Sequence, residues 1–236
     1  MKKTVLFDLD GTLLPMDQEQ FIAAYFGLLA KKLAPHGYDP EKLIKAIWAG
    51  TGAMVKNGGG KSNEAVFWDC FAAMMGEHTR ADESIFEEYY RNEFQQVRSV
   101  CGFVPAAAET VRLCHELGAD TVLATNPIFP SIATESRMRW AGLTPEDFRY
   151  YTVYSNSSFC KPNPDYYREI LRKLELRAED CLMVGNDADE DGAAAELSIP
   201  VFLLTDCLIN KSGRDLAAFP HGGFEKLHTW LREQLA

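Results

Sequence analysis

Short apolar runs alternating with helical stretches predict an α/β protein, a doubly wound parallel sheet with a helical segment inserted after the first strand. Three observations carry that expectation. Apolar runs at residues 5–7, 121–124, 151–154, 181–184 and 201–204 are continuous rather than alternating, as in strands buried on both faces. Helical stretches at 105–117, 131–140, 164–174 and 191–197 separate the later runs, which is the order of a parallel, doubly wound sheet. The first connection, from about Leu14 to about Cys101, is far longer than the dozen or so residues of an ordinary crossover, so it holds elements of its own. The expected division is a core of residues 1–14 and 101–236 with an inserted helical domain at 15–100.

The inserted segment carries good helix signals. Asp17 with Gln20 resembles a capping box opening a helix over 18–33. Asp39-Pro40-Glu41 supplies a cap and a first-turn proline ahead of Leu43, Ile44, Ile47 and Trp48. Ser62 or Asn63 caps a helix bearing Val66, Phe67, Cys70, Phe71 and Met74. Asp82 caps one bearing Ile85, Phe86, Tyr89, Tyr90 and Phe94. These spacings describe a small helical bundle whose aromatic stripe is core. Between two of its helices, Lys56-Asn57-Gly58-Gly59-Gly60-Lys61-Ser62 ends like a nucleotide-binding loop, but Val55 stands where that motif has its first glycine and no apolar strand feeds the turn. A substrate-facing loop and a plain linker are both open readings.

Composition narrows the function classes. The chain has 236 residues, enough for a substantial core, and a net charge of −10, which disfavours binding to a nucleic-acid backbone. No apolar run reaches eighteen residues, so no membrane partner is expected, and the amino terminus loses its apolar character at Asp8, too early for a secretory signal. The six cysteines show no close metal or redox pairing and most sit among apolar neighbours, which fits a cytoplasmic protein. Oligomeric state is not legible.

The chemistry gathers at strand ends. Val5 to Phe7 runs into Asp8-Leu9-Asp10-Gly11-Thr12. Residues two apart in an extended run share a face, so both carboxylates can reach one volume beyond the strand, though a solvated turn explains a lone Asp-x-Asp-Gly equally well. The second strand ends in Thr125-Asn126-Pro127, whose hydroxyl and amide can donate to phosphate oxygens or simply start a turn. Cys160-Lys161-Pro162-Asn163-Pro164 opens a helix with a lysine whose direction the prolines restrict. The fourth strand ends in Gly185-Asn186-Asp187-Ala188-Asp189-Glu190-Asp191, four acids in five positions that suit a cation or a helix start, and the spacing does not match a calcium loop.

Asp8-Leu9-Asp10-Gly11-Thr12, Thr125, Lys161-Pro162-Asn163-Pro164 and Asp187 with Asp191 together resemble, in order, the four motifs of the haloacid dehalogenase-like superfamily, in its phosphatase branch with an inserted helical cap. The resemblance implies a Rossmann-like core and a magnesium-dependent phosphohydrolase acting on a small phosphorylated metabolite. It implies Asp8 as the nucleophile forming an aspartyl-phosphate and Asp10 as general acid/base. Thr125, Asn126 and Lys161 would hold the phosphoryl oxygens, and Mg2+ would be held by Asp8, the Asp10 backbone carbonyl and Asp187. Thr12, Asn186 and Asp191 would be auxiliary, and Asp189 and Glu190 helix-start or solvent residues. Asn186 departs from the common Gly-Asp form. Asp10 disfavours the dehalogenase branch, which normally lacks that acid, whereas a phosphomutase or a non-catalytic binding protein on the same core stays open.

Overall fold

The computed structural model describes residues 2–236. Its centre is a sheet of β1 (Thr4–Phe7), β2 (Asp120–Leu123), β3 (Tyr150–Tyr151), β4 (Cys181–Gly185), β5 (Val201–Leu204) and β6 (His221–Gly222), in the order β3-β2-β1-β4-β5-β6. Every pairing is parallel. The four longer strands are buried because their side chains feed two opposite cores. Val5, Phe7, Leu123, Leu182 and Phe202 enter one core, and Leu6, Val122, Met183, Val201 and Leu203 enter the other. Register sets the active end: Phe7 lies level with Leu123 on one side and Val184 on the other, so residues 8, 124 and 185 leave the sheet together.

The helices are α1 (Gln18–Leu33), α2 (Pro40–Val55), α3 (Asn63–Met75), α4 (Glu83–Arg91), α5 (Pro105–Glu116), α6 (Ser131–Trp140), α7 (Pro164–Leu174) and α8 (Phe224–Leu235). α7 covers one face of the sheet through Tyr166, Tyr167 and Ile170. α5 and α8 cover the other, with Val111, Cys114, Leu227 and Leu231. α1 to α4 all lie in the long first connection. Its two crossings run side by side: Met16 bridges Cys101 antiparallel, and the Gly102 amide donates to the Pro15 carbonyl at 2.7 Å.

Several local expectations are corrected. Strand 151–154 is only Tyr150–Tyr151, because beyond it the Thr152 amide still reaches Leu123 but the Tyr154 amide turns to Phe129. Residues 192–197 form a 3-10 helix rather than an α-helix, and β6 and α8 lack any counterpart in the apolar pattern. The caps at Asp17, Asp39 and Ser62 form, each side chain accepting the amide three residues on at 2.9, 2.9 and 3.2 Å. Asp82 does not cap α4; its carboxylate accepts the Tyr38 hydroxyl at 2.8 Å. Phe94 lies beyond α4, buried on a 3-10 turn at Glu93–Val100.

The loop at 56–62 is no substrate-facing element. Asn57 and Asn63 join through their side chains at 2.9 Å, the Asn63 amide donates to the Pro127 carbonyl at 3.2 Å, and Lys61 pairs with Asp69 at 2.9 Å. The loop is a latch onto the loops of the sheet, and neither of its lysines lines the cavities described below. No helix among the described residues is long and apolar enough to cross a membrane, and the six cysteines are free.

Candidate active site

Beyond the carboxyl ends of β1, β2 and β4 lies a cavity of about 130 Å³ lined by Asp8, Asp10, Thr125, Asn126, Asn186, Asp187, Glu190 and Asp191, among others. Chain ends from several parallel strands converge here, the usual ligand position in such sheets. The sequence motifs, up to 183 residues apart, therefore meet in one place. A glycine turn allows it. Gly11 has φ +89°, and a Cβ there would collide with the Asn186 side chain, so the chain can pass between Asp10 and Asn186 only as glycine.

Asp8 is buried, and two side chains bond to it. Lys161 Nζ donates to Asp8 Oδ1 at 3.0 Å and to Asp191 Oδ1 at 2.6 Å, and Thr12 Oγ1 lies 3.2 Å from Asp8 Oδ2 and 2.9 Å from Asn186 Oδ1. Lys161 is itself fully buried. Burial opposes its charge, but the Asp191 and Asp8 carboxylates outweigh that and hold the ammonium well above the ordinary lysine range. The Asp8 carboxyl is pushed up to about 7, mainly by loss of water, against the pull of Lys161. Asp191 is fully occupied: besides Lys161, it accepts the backbone amides of Asn186 and Asp187, both at 2.9 Å, and so fixes the turn after β4. That packing requires Gly185, where a Cβ would overlap the Asp191 carboxylate.

Asp187 is half-buried, and its Oδ1 accepts the amides of Asp189 and Glu190 at 2.8 and 2.9 Å, leaving Oδ2 for a ligand. Asp189 points elsewhere. It accepts from Ser212 and Arg214 and ties down the loop after β5. Glu190 is not the solvent residue expected of it. It is half-buried on the cavity, accepts from Asn126 Nδ2 at 3.0 Å, and its carboxyl is pushed up to about 8 by burial, with Asp191, Asp187 and Asp8 adding to the rise and Lys161 opposing it. Which acids of the 187–191 run face inward depends on the Asp187 turn, and spacing alone does not reveal it.

Arg137, on α6, is the second residue that sequence reasoning misses. Fully buried, it forms an ion pair with Asp10, donates to the Ala133 carbonyl and Thr134 Oγ1 at 3.3 Å each, and lies over the Phe129 ring at 4.5 Å. Nothing in the chain distinguishes it from its exposed neighbour Arg139; only folding turns one inward. The Asp10 carboxyl is raised by burial and held back by Arg137 and then Lys161. Its other oxygen, Oδ1, is buried without a hydrogen-bond partner among the described residues, as is Asn126 Oδ1.

Five carboxylates, from Asp8, Asp10, Asp187, Glu190 and Asp191, line this small cavity, while the cations bonded to them are Lys161 and Arg137. That excess of negative charge and an all-oxygen donor set suit a hard divalent cation. Among the described residues no three His, Cys, Asp or Glu side chains converge at metal-binding spacing, so backbone and amide oxygens would have to complete the set.

A family model described as haloacid dehalogenase-like hydrolase matches residues 2–198. The chain belongs to that family of hydrolases. Among its relatives, a phosphoglycolate phosphatase of Vibrio parahaemolyticus is 27% identical over 209 residues, covering 86% of this chain and 83% of that protein. A ribulose-1,5-bisphosphate 5-phosphatase of Halopiger xanaduensis is 26% identical, covering 83% and 81%. Among solved structures, a 2-haloacid dehalogenase from Pseudomonas syringae pv. Tomato superposes with a TM-score of 0.63 at 18% identity over 100% of both chains. A phosphatase of the family from Thermococcus onnurineus gives 0.58 at 17% identity over 98% of each. At these identities the structural likenesses speak for the fold.

Proposed function

We propose that this hydrolase is a magnesium-dependent phosphatase that cleaves a small phosphorylated metabolite through an aspartyl-phosphate on Asp8. The observation that carries the reading is the pair of acids at the end of β1, the first buried and the second half-buried, with Lys161 3.0 Å from the first and Arg137 bonded to the second. Both curated relatives named above are phosphatases, at 27% and 26% identity. Asp8 Oδ attacks phosphorus, and the bond from phosphorus to the ester oxygen breaks as Asp10 gives that oxygen a proton. Asp10 then takes a proton from the water that cleaves the aspartyl-phosphate, so one hard displacement becomes two easier ones. Lys161 steadies the attacking carboxylate and, with Thr125 and Asn126, offsets charge on the phosphoryl oxygens. Asp8, the Asp10 carbonyl and Asp187 would hold Mg2+, with Asn186 beside them, and the ion would supply charge stabilisation at the phosphoryl group. Asp191 acts through Lys161 and the 186–187 amides.

Residues 15–100 serve in this reading as a cap on the core of 1–14 and 101–236, joined to it by the paired crossings at Pro15-Met16 and Cys101-Gly102. Free cysteines accord with work in the cytoplasm, and against a net charge of −10 the buried Lys161 supplies the local positive charge that a phosphate needs. The test is phosphate release from para-nitrophenyl phosphate and a metabolite panel, with and without Mg2+. Asp8→Asn is expected to abolish turnover while leaving the melting temperature within a few degrees of wild type. Normal activity in that variant removes Asp8 as nucleophile, and no turnover of any ester by folded, metal-supplied wild type favours a binding role.

A further inference from the structure

A second, larger cavity of about 510 Å³ adjoins the first and shares Asp10, Gln18, Ile128 and Glu190 with it. It therefore opens on the side of the proposed acid, where a leaving group would sit. Its walls are aromatic from both parts of the chain: Phe21 and Tyr25 of α1, Trp68 of α3, Phe86 and Tyr90 of α4, and Phe129 ahead of α6. A volume in the range of small-molecule sites, walled this way, far exceeds what a two-carbon leaving group fills.

Its charges point the same way. Glu64 is half-buried in the wall, Glu83 and Glu87 are exposed at the lining, and burial with the proximity of Glu64 and then Glu87 raises the Glu83 carboxyl. The cations of the lining are Arg91 and Lys211. Both are exposed, and Arg91 is engaged by Glu87 at 3.6 Å. Nothing here matches the bidentate arginine or buried lysine that recognition of a second anionic group calls for. The Trp68 indole, on a side chain only 7% exposed, faces the Tyr154 hydroxyl in the same wall.

Building on the phosphatase reading, we infer that the substrate is the phosphate monoester of a bulky, apolar, non-anionic alcohol of aryl or arylalkyl type rather than a small carboxylate or a bisphosphate. Aromatic walls bind such a body by apolar contact and edge or face packing, and Glu64 repels a second anion.

Benzyl phosphate and phosphoglycolate test this, because both release a primary alkoxide and so differ little in intrinsic reactivity. A kcat/KM at least tenfold higher for benzyl phosphate is expected, and Glu64→Lys should narrow that ratio by raising the phosphoglycolate value. Equal or better use of phosphoglycolate by wild type overturns the inference while leaving the phosphatase reading intact. If neither these two nor any ester of the panel is turned over, the phosphatase reading fails by itself, and whenever these two are not substrates, calorimetric titration with benzylphosphonate and phosphonoacetate in the presence of Mg2+ decides the chamber's preference. At least tenfold tighter binding of benzylphosphonate upholds it, and equal affinities refute it.

Discussion

Replacing Arg137 by methionine removes a charge from the interior while keeping a long apolar stem. In the folded protein the guanidinium pairs with Asp10, donates to Ala133 and Thr134 and covers the face of Phe129. Breaking a fully buried ion pair from one side costs about 3–5 kcal/mol, because the surviving charge is stranded. Here the Asp10 side chain is 26% exposed against 1% for Arg137, so water relieves part of that burden and the lower end, about 3 kcal/mol, is expected. For a chain of this length that corresponds to a fall in melting temperature of about 6–12 °C. Urea denaturation of wild type, Asp10→Asn, Arg137→Met and the double variant separates the pair from mere packing. The double variant should be more stable than the sum of the singles implies by about 2 kcal/mol, since it strands no charge. A coupling below about 0.5 kcal/mol, the level of an exposed pair, would refute the claim that Arg137 is buried there in order to face Asp10. Arg137→Lys should recover only part of the loss, because an ammonium lacks the planar fork that serves Asp10 and Thr134 together.

Asp187→Asn should raise the Mg2+ concentration needed for half-maximal activity, read from a magnesium titration at fixed substrate. An unchanged requirement would move the ligand to Asn186, since the Asp191 carboxylate is already taken up by Lys161 and two amides. His228 lies 2.7 Å from Thr110 Oγ1, and burial, with Arg232 adding to it, holds its imidazole below the ordinary value of 6.5. Above that value both folded and unfolded forms are neutral. As pH falls through it the unfolded chain takes the proton first, so stability is lost with acidification. Melting curves between about pH 7.5 and pH 5.5 should therefore show a larger drop for wild type than for His228→Gln, and equal drops would assign the loss to other groups.

The order of motifs along the chain already contained the chemistry of the first cavity. Asp8, Asp10, Thr125 and Asp187 each stand just past an apolar run, and a parallel sheet brings such positions to one edge because its strands all end on the same side, whereas Lys161 reaches that edge from just ahead of α7, ten residues beyond β3. The caps at Asp17, Asp39 and Ser62 were equally legible, since they depend on residues three apart. Sheet-edge and surface elements were not. β6 has two residues, and α8 follows a stretch without strong periodicity, so their place is set by the room left beside β5.

What the sequence determined by itself is therefore the central strands of the sheet, the long insertion and the identity of Asp8, Asp10, Asp187 and Lys161, all of which follow from local pattern. Tertiary structure alone decided which charges answer one another. Arg137 turns inward to Asp10, Asp191 is spent on Lys161 and the 186–187 amides, Glu190 faces the cavity, and Asp189 faces away. Burial and partner are properties of the packed chain, and the price of an unpaired interior charge, not the spacing of the residues, selects among them.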